Sequence, residues 1–356
     1  MRICYFGGYD QGHPRNRVMI HAWKAHGNTV VQCHSRHPIK AIRVLKLIAQ
    51  YLKWHKNLGV VVVGASCHAY IPLAWILCRL TGKPLIFDAF VSHYENWQER
   101  PRKGWFPFLQ KQAAFFIDKI STTLPDLVLL DTEEHVAYFQ KTFGLAEAKV
   151  RSIPVGADGI PSTPREHANG ETFKVLFVGS FLPLHGMGVI VQAAELIKNE
   201  RGILFELVGD GEERLRVERL CQNPHVLFQA PIPYEEYVRK LLKTDVALGV
   251  FGTTPKTDRV IPCKVYDALA AGVPLITADT PAVRRFLRNG RDAVLVTPGD
   301  PRALAAAILS LKRNPKLRMS LANEGKRTFG TIGTPEMVGR ALLSICTELL
   351  GKTMSS

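Results

Sequence analysis

The sequence predicts an α/β protein made of two parallel-sheet domains in tandem, and three observations carry that prediction. The chain has 356 residues, more than one hydrophobic core usually serves, so two domains are expected. Short apolar, β-rich runs alternate with helical segments along the chain, as buried parallel strands joined by crossover helices would require. The alternation stops once, in "GIPSTPREHANGET" at 159–172, rich in Pro, Gly, Ser and Thr, and then restarts. That stretch reads as a linker.

The first domain, 1–158, holds the strand runs "RICYFGG", "TVVQCHS", "VVVVGAS", "PLIFDAF" and "DLVLLDT". Helical segments lie near 14–26, 38–56, 68–81, 103–120 and 132–143. The second domain, 173–335, holds "FKVLFVGS", "ILFELVGD", "HVLFQA", "DVALGVF", "VPLITAD" and "DAVLVTP". In "ADTPAVRRFLRNG", Asp279 or Thr280 is the cap, Pro281 stands in the first turn, and Gly290 follows the end. "GDPRALAAAILSL" repeats the device with Asp300 and Pro301. A last helix, 336–356, has the N-terminal domain as its candidate packing partner. Ligands of such sheets sit at the carboxyl ends of strands against helix starts, so two sheets facing across a cleft would place the chemistry there.

Composition bounds the class. Apolar residues are 46% and charged residues 22%, as in ordinary folded soluble proteins. No apolar run is long enough to span a bilayer, and "MRICYFGGYD" turns polar too soon for a secretory signal. Seven scattered cysteines without a C-x-x-C pair read as reduced cytosolic thiols, with neither a disulfide framework nor a zinc site. The expected location is cytoplasmic. The formal charge is +15, and residues 1–60 hold ten Lys/Arg against the single acid Asp10. Such a field suits a polyanion, an anionic membrane or a phosphorylated substrate.

The stretch "RVIPCKVYDALAAGVPLI", 259–276, follows a strand run and the polar loop "GTTPKTDR". A helix start near Pro262 favours anions, and Arg259 and Lys264 add positive charge beside it. Lys264 and Asp267 share a helical face. A diphosphate beside a ribose would satisfy all three residues, the carboxylate accepting from sugar hydroxyls. The alternative is a solvated loop with an i,i+3 ion pair worth a few tenths of a kcal/mol.

"RVIPCKVYDALAAGVPLITAD" resembles the donor-binding motif of glycosyltransferase family 4, in the variant P-x-K-x-(F/Y)-E followed by A-x-G-x-P-(V/I). "KVLFVGSFLPLHGMGVIVQAAELI" is similar to the strand, loop and helix that open that family's second domain. "VRSIPVGAD" resembles its pre-linker segment, and "GGYDQGHPRNRVMIHAWKAHGNTV" its first strand, glycine loop and helix. The likeness runs through nearly the whole chain and is most specific in the C-terminal half. It implies the GT-B fold, two Rossmann-like domains facing across a cleft, and transfer of a sugar from a nucleoside-diphosphate-sugar to a hydroxyl acceptor with retention.

By position, the resemblance makes Asp267 the ribose-binding acid, an Asp where the family usually has Glu. Arg259 replaces the usual partner glutamate eight residues upstream. Ser180 and His185 stand where many members carry Arg and Lys. Phosphate binding then falls to Arg259 and Lys264, with Val265 in the same motif, the Ser180 hydroxyl, and the backbone at Gly179 and Gly186. Gly12 belongs to the corresponding loop of the first domain. The nucleotide base would meet the backbone near Pro231 and Ile232 in "FQAPIPYEE". Gly209 and Gly211 of "LVGDGEE" read as a tight turn. The family's histidine near the anomeric carbon is matched by Phe90, which leaves Asp88, His93 and Glu95 as polar candidates, Asp88 and His93 being the catalytic choices. No D-x-D motif stands at a strand end, so no metal and no cofactor is expected.

Segment 40–57 places Val44, Leu45, Ile48, Tyr51 and Leu52 along one side, with Lys40, Arg43, Lys46, Lys53 and Lys56 around the rest. It suits an anionic membrane presenting a lipid-linked acceptor, or its apolar side packs on the sheet. Glycan and small-molecule hydroxyls remain alternative acceptors. Two other classes compete: an inactive sugar-nucleotide-binding protein and a sugar-nucleotide epimerase of the same fold. A nucleic-acid-binding protein would explain the charge, but no binding motif or aromatic ladder accompanies it, and nucleic acid is not expected as a partner.

Overall fold

Four consecutive valines, Val60–Val63, leave no face for solvent, and all four are fully buried. Strands of this kind need cover on both sides, which parallel βαβ units provide. The computed structural model describes residues 1–100, 106–161 and 172–354. Most of the expected linker, 159–172, and the start of the helix expected over 103–120 lie outside the described residues. The chain divides into Met1–Asp158 with Thr334–Ser356, and Gly159–Gly333.

The first unit runs β1 (Arg2–Gly7), α1 (Pro14–Ala25), β2 (Thr29–His34), α2 (Lys40–Trp54), β3 (Val60–Val63), α3 (Ile71–Thr81), β4 (Leu85–Asp88), α4 (His93–Glu99), α5 (Pro107–Thr123), β5 (Leu127–Leu130), α6 (Glu133–Phe143) and β6 (Val150–Ser152). Its sheet has the order β2-β1-β3-β4-β5-β6, and every pairing is parallel. Two elements depart from the sequence reading. β6 is a strand of only three residues inside the segment read as pre-linker. Ser92 starts the unforeseen α4 by accepting from the Glu95 amide at 2.9 Å.

The last helix, α14 (Pro335–Met354), belongs to this first unit. Val338, Leu342 and Cys346 are buried in the core formed by β1, β3 and α1. Gly339 lies against the Ala22 carbonyl, and the His26 ring donates to the Glu336 carbonyl at 2.7 Å.

Charges are also buried here. The His135 ring donates to Asp131 at 2.6 Å and to Glu95 at 3.1 Å. Burial alone would lower the His135 pKa, but Asp131 and then Glu95 outweigh it and raise it to about 9. The imidazolium thus ties α6 to α4, and Glu95 is a structural residue rather than a free acid.

The second unit runs β7 (Phe173–Val178), α7 (Met187–Leu196), β8 (Ile203–Val208), α8 (Arg214–Leu220), β9 (Val226–Gln229), α9 (Tyr234–Leu242), β10 (Val246–Leu248), α10 (Cys263–Ala270), β11 (Leu275–Ala278), α11 (Pro281–Phe286), β12 (Val294–Val296), α12 (Pro301–Arg313) and α13 (Pro315–Ile332). Sheet order is β12-β11-β10-β7-β8-β9. Numbered within the unit, this is 6-5-4-1-2-3, the dinucleotide-fold order, whose switch point lies between β7 and β10. Thr280, not Asp279, caps α11, while Asp279 pairs with Arg284 at 2.6 Å. Asp300 caps α12 through the Arg302 and Ala303 amides.

Candidate functional site

At the switch point of the second unit, the loop after β7 meets the loop after β10. The Phe251 amide donates to the His185 carbonyl and the Gly252 amide to the Leu184 carbonyl, each at 3.1 Å. From below, the Phe181 amide bonds the Asp210 carbonyl at 2.8 Å, and the Glu213 amide bonds the Phe181 carbonyl at 3.1 Å. A side chain on Gly209 would overlap the Gly179 carbonyl oxygen, so Gly209 and Gly211 support the β7 loop by close packing.

Lys264 is the second residue of α10, and its Nζ is buried with no hydrogen-bond partner among the described residues. It lies 3.6 Å from the centre of the Phe177 ring. Gly179 takes φ +154°, and a Cβ there would stand 2.6 Å from that Nζ. The glycine leaves the space the lysine needs. Burial pulls the Lys264 pKa well below its ordinary value, because the ammonium loses water and gains no anion. The i,i+3 ion pair with Asp267, the bland sequence reading, does not form.

His185 stands beside the lysine, its Nδ1 bonded to the Ser180 carbonyl. Burial first, then Lys264, pushes its pKa well below the histidine value, with Lys256 adding to the effect. The ring is therefore neutral, and with Nδ1 as donor its Nε2 carries the lone pair. The Ser180 side chain is exposed, and Gly186 enters α7 with φ +66°. Lys256, itself buried, is a second lysine of this site. It was missed in sequence because "GTTPKTDR" reads as a polar loop.

Asp267 is 4% exposed and accepts from the Tyr234 hydroxyl at 3.3 Å. Burial first, and Asp267 next, raise the Tyr237 pKa well above the phenol value. Two tyrosines three residues apart on α9 thus face the carboxylate, a spacing visible in "PYEEY". Arg259 is half-buried, its amide bonded to the Lys256 carbonyl at 3.0 Å. Ile232 is half-buried between β9 and α9. Val265 has a fully buried side chain that packs the helix start, and its amide bonds the Pro262 carbonyl at 2.9 Å.

In the first unit, Gly12 lies in the exposed loop before α1, its amide donating to Asp10 Oδ1 at 3.0 Å. Asp88 is fully buried and gripped by Arg15, whose Nε lies 3.2 and 3.0 Å from the two carboxylate oxygens and whose Nη2 lies 3.0 Å from Oδ1. Arg15 Nη1 donates to the Ile153 and Pro154 carbonyls at 2.8 Å. The pair fastens α1 to β4 and to the exit of β6. Asp88 is thereby occupied and shielded from water, which contradicts its choice as a catalytic acid or base. Arg15 likewise leaves the surface basic field. Phe90, two residues on, has φ 49°, a strained conformation for a bulky residue. His93 has an exposed side chain, with its ring edge-on to His68 at 4.5 Å between centres. Burial first and His93 next push the His68 pKa down to about 3.

Comparison with known proteins adds the family signal. Residues 161–328 match the family model described as glycosyl transferases group 1. Phosphatidyl-myo-inositol mannosyltransferase of Mycobacterium leprae is 31% identical over 170 residues, 46% of this chain and 44% of that protein. A D-inositol 3-phosphate glycosyltransferase of Thermomonospora curvata is 27% identical over 186 residues, 48% and 42% of the two chains. The chain thus spans less than half the length of these relatives. HepE of Anabaena in complex with UDP superposes with TM-score 0.71 at 14% identity, covering 98% of this chain and 100% of that one. A second HepE structure, with UDP-glucose, gives 0.70 at 14%, covering 100% of each. Sucrose-phosphate synthase of Thermosynechococcus elongatus gives 0.72 at 16%, covering 99% and 100%. These structures share the fold: GT-B, with two Rossmann-like domains.

Asp88→Asn should destabilise the first unit by about 3–5 kcal/mol, since it strands the buried Arg15 charge. All five tryptophans lie in residues 1–158, so their fluorescence during urea unfolding reports this unit. An unchanged midpoint would show that the pair does not hold α1 to the sheet.

Proposed function

We propose that this protein is a retaining glycosyltransferase of family 4 that moves a hexose from a nucleoside-diphosphate-sugar to a hydroxyl acceptor. One observation carries the reading: the Lys264 amine, buried without a hydrogen-bond partner among the described residues at the switch point of the second sheet. A diphosphate supplies the missing anion. Lys264, Lys256 and the start of α10 would bind it, with Arg259 and the Ser180 hydroxyl at the rim. As the glycosidic bond breaks, charge grows on the departing diphosphate, and cations already in place favour that change. Asp267 would exchange the Tyr234 hydroxyl for those of the ribose, and the backbone near Ile232 would meet the base. With Asp88 engaged by Arg15, the acceptor proton would pass to a donor phosphate oxygen on the same face of the sugar. Stabilisation by lysines requires no divalent metal in this step.

UDP in the Anabaena structures makes UDP-sugars the first donors to test, with GDP- and dTDP-sugars beside them. A true donor at a hundred times its dissociation constant should stabilise the protein by about 2.7 kcal/mol in a thermal-shift screen. Donor plus an acceptor extract should then release nucleoside diphosphate. Binding without release would establish an inactive binding protein instead, and donor isomerisation without acceptor an epimerase.

We further propose that the acceptor is lipid-linked and reached at the cytoplasmic face of a membrane. No helix among the described residues is long and apolar enough to cross a membrane, but α2 suits its surface. Leu47 and Tyr51 are its buried residues, whereas Leu45 is 65% exposed and Leu52 is 51% exposed. Lys40, Lys46, Lys53 and Lys56 are exposed beside them. Arg43 is engaged instead, with the His37 carbonyl at 2.8 Å and the Tyr70 hydroxyl at 2.9 Å. Each exposed lysine near an anionic surface contributes about 1 kcal/mol. The protein should float with anionic vesicles at low salt, and changing Lys46, Lys53 and Lys56 together to Glu should abolish flotation without altering nucleotide affinity. Absence of flotation at low salt would point to a soluble acceptor.

A further inference from the structure

The geometry points to a divalent transition-metal site in the first unit, formed by His68, His93 and Asp118. His68 comes from the turn before α3, His93 opens α4, and Asp118 lies in α5, so three separate segments converge. One ligand atom from each residue lies within 4.8 Å of the other two.

His68 is 3% exposed, and among the described residues neither buried ring nitrogen makes a hydrogen bond of ordinary geometry, although the Val91 backbone lies close by. Such a group is costly to bury unless something satisfies it. Its Nε2 is 3.5 Å from Asp118 Oδ1. Two ligands about 2.1 Å from a tetrahedral centre stand roughly 3.4 Å apart, so this pair already has the spacing of two ligands.

Asp118 is oriented in advance by its own neighbours. Its Oδ2 accepts from the Ser92 hydroxyl at 2.6 Å and the Tyr94 amide at 2.8 Å. Among the described residues Oδ1 accepts only the His93 amide, at 3.2 Å, which leaves a lone pair for His68 Nε2 at 3.5 Å. Hydrogen bonds of this kind fix a ligating carboxylate and tune its donor strength. The exposed His93 ring supplies the third ligand and an entry path, and water completes the coordination.

Two imidazoles with one carboxylate favour zinc-like ions over magnesium or calcium. An ion here would pin the start of α4 to α5 and to the turn at 68–70, steadying the connection that carries Phe90. The site belongs to the first unit and rests on its own residues, independently of the donor pocket and of the glycosyltransferase reading.

The test uses untagged, chelator-stripped, full-length protein titrated with Co²⁺ and then Zn²⁺. We expect one Co²⁺ per chain with the visible absorption of a low-coordinate ion, displaced by Zn²⁺. His93→Ala should weaken binding at least about tenfold with tryptophan fluorescence unchanged, because that side chain is exposed. His68→Phe, which keeps a buried ring and removes both nitrogens, should abolish the cobalt spectrum. Absence of stoichiometric binding, or binding that survives both substitutions, would overturn the assignment.

Discussion

The Lys264 ammonium, out of water and without a counter-ion, is the constraint around which the carboxyl end of the second sheet is arranged. Gly179 leaves it room, because a Cβ there would stand 2.6 Å from Nζ and displace the ammonium. The lysine adds to the burial that keeps His185 neutral, the ring whose Nδ1 donates to the Ser180 carbonyl in the β7 loop. The ring of Phe177 underlies the cation but does not replace a full negative charge. A site that desolvates a cation in this way favours a ligand that restores its charge. Binding and protonation are therefore coupled at this lysine wherever the pH lies above its lowered pKa.

Two sets of buried charges in the first unit are handled in the opposite manner. Arg15 with Asp88, and His135 with Asp131 and Glu95, are closed sets in which each ion meets a partner. Closed sets hold elements together and leave little for chemistry. The polar residues that end β4 are thus structural in their side chains, apart from the exposed His93.

The strands were legible wherever a β-branched apolar run is buried on both faces, as in Val60–Val63, since its alternation with helices favours a covered parallel sheet. Three-residue β6 was not, because its length shows no periodicity and its neighbours resemble loop. Lys264 and Asp267 could be paired in sequence because they share a helical face. Their surroundings could not: Tyr234 lies 33 residues from Asp267, and Arg15 lies 73 from Asp88. Burial of Val265 was not legible, because the donor motif does not separate packing from contact and residues 265–270 are all buried. Burial of Lys264 itself is a property of the assembled loops, and in sequence the residue is only a cation at a helix start.

The most direct test of the account is calorimetry of UDP binding between about pH 7 and 10, in buffers of differing ionisation enthalpy. Above the lowered pKa of the free lysine, binding should take up a proton and weaken as pH rises. In folded Lys264→Met the uptake should vanish, with affinity reduced by about 2–5 kcal/mol. Binding without proton uptake in the wild-type protein, or identical uptake in Lys264→Met, would contradict the claim that this buried ammonium receives the diphosphate.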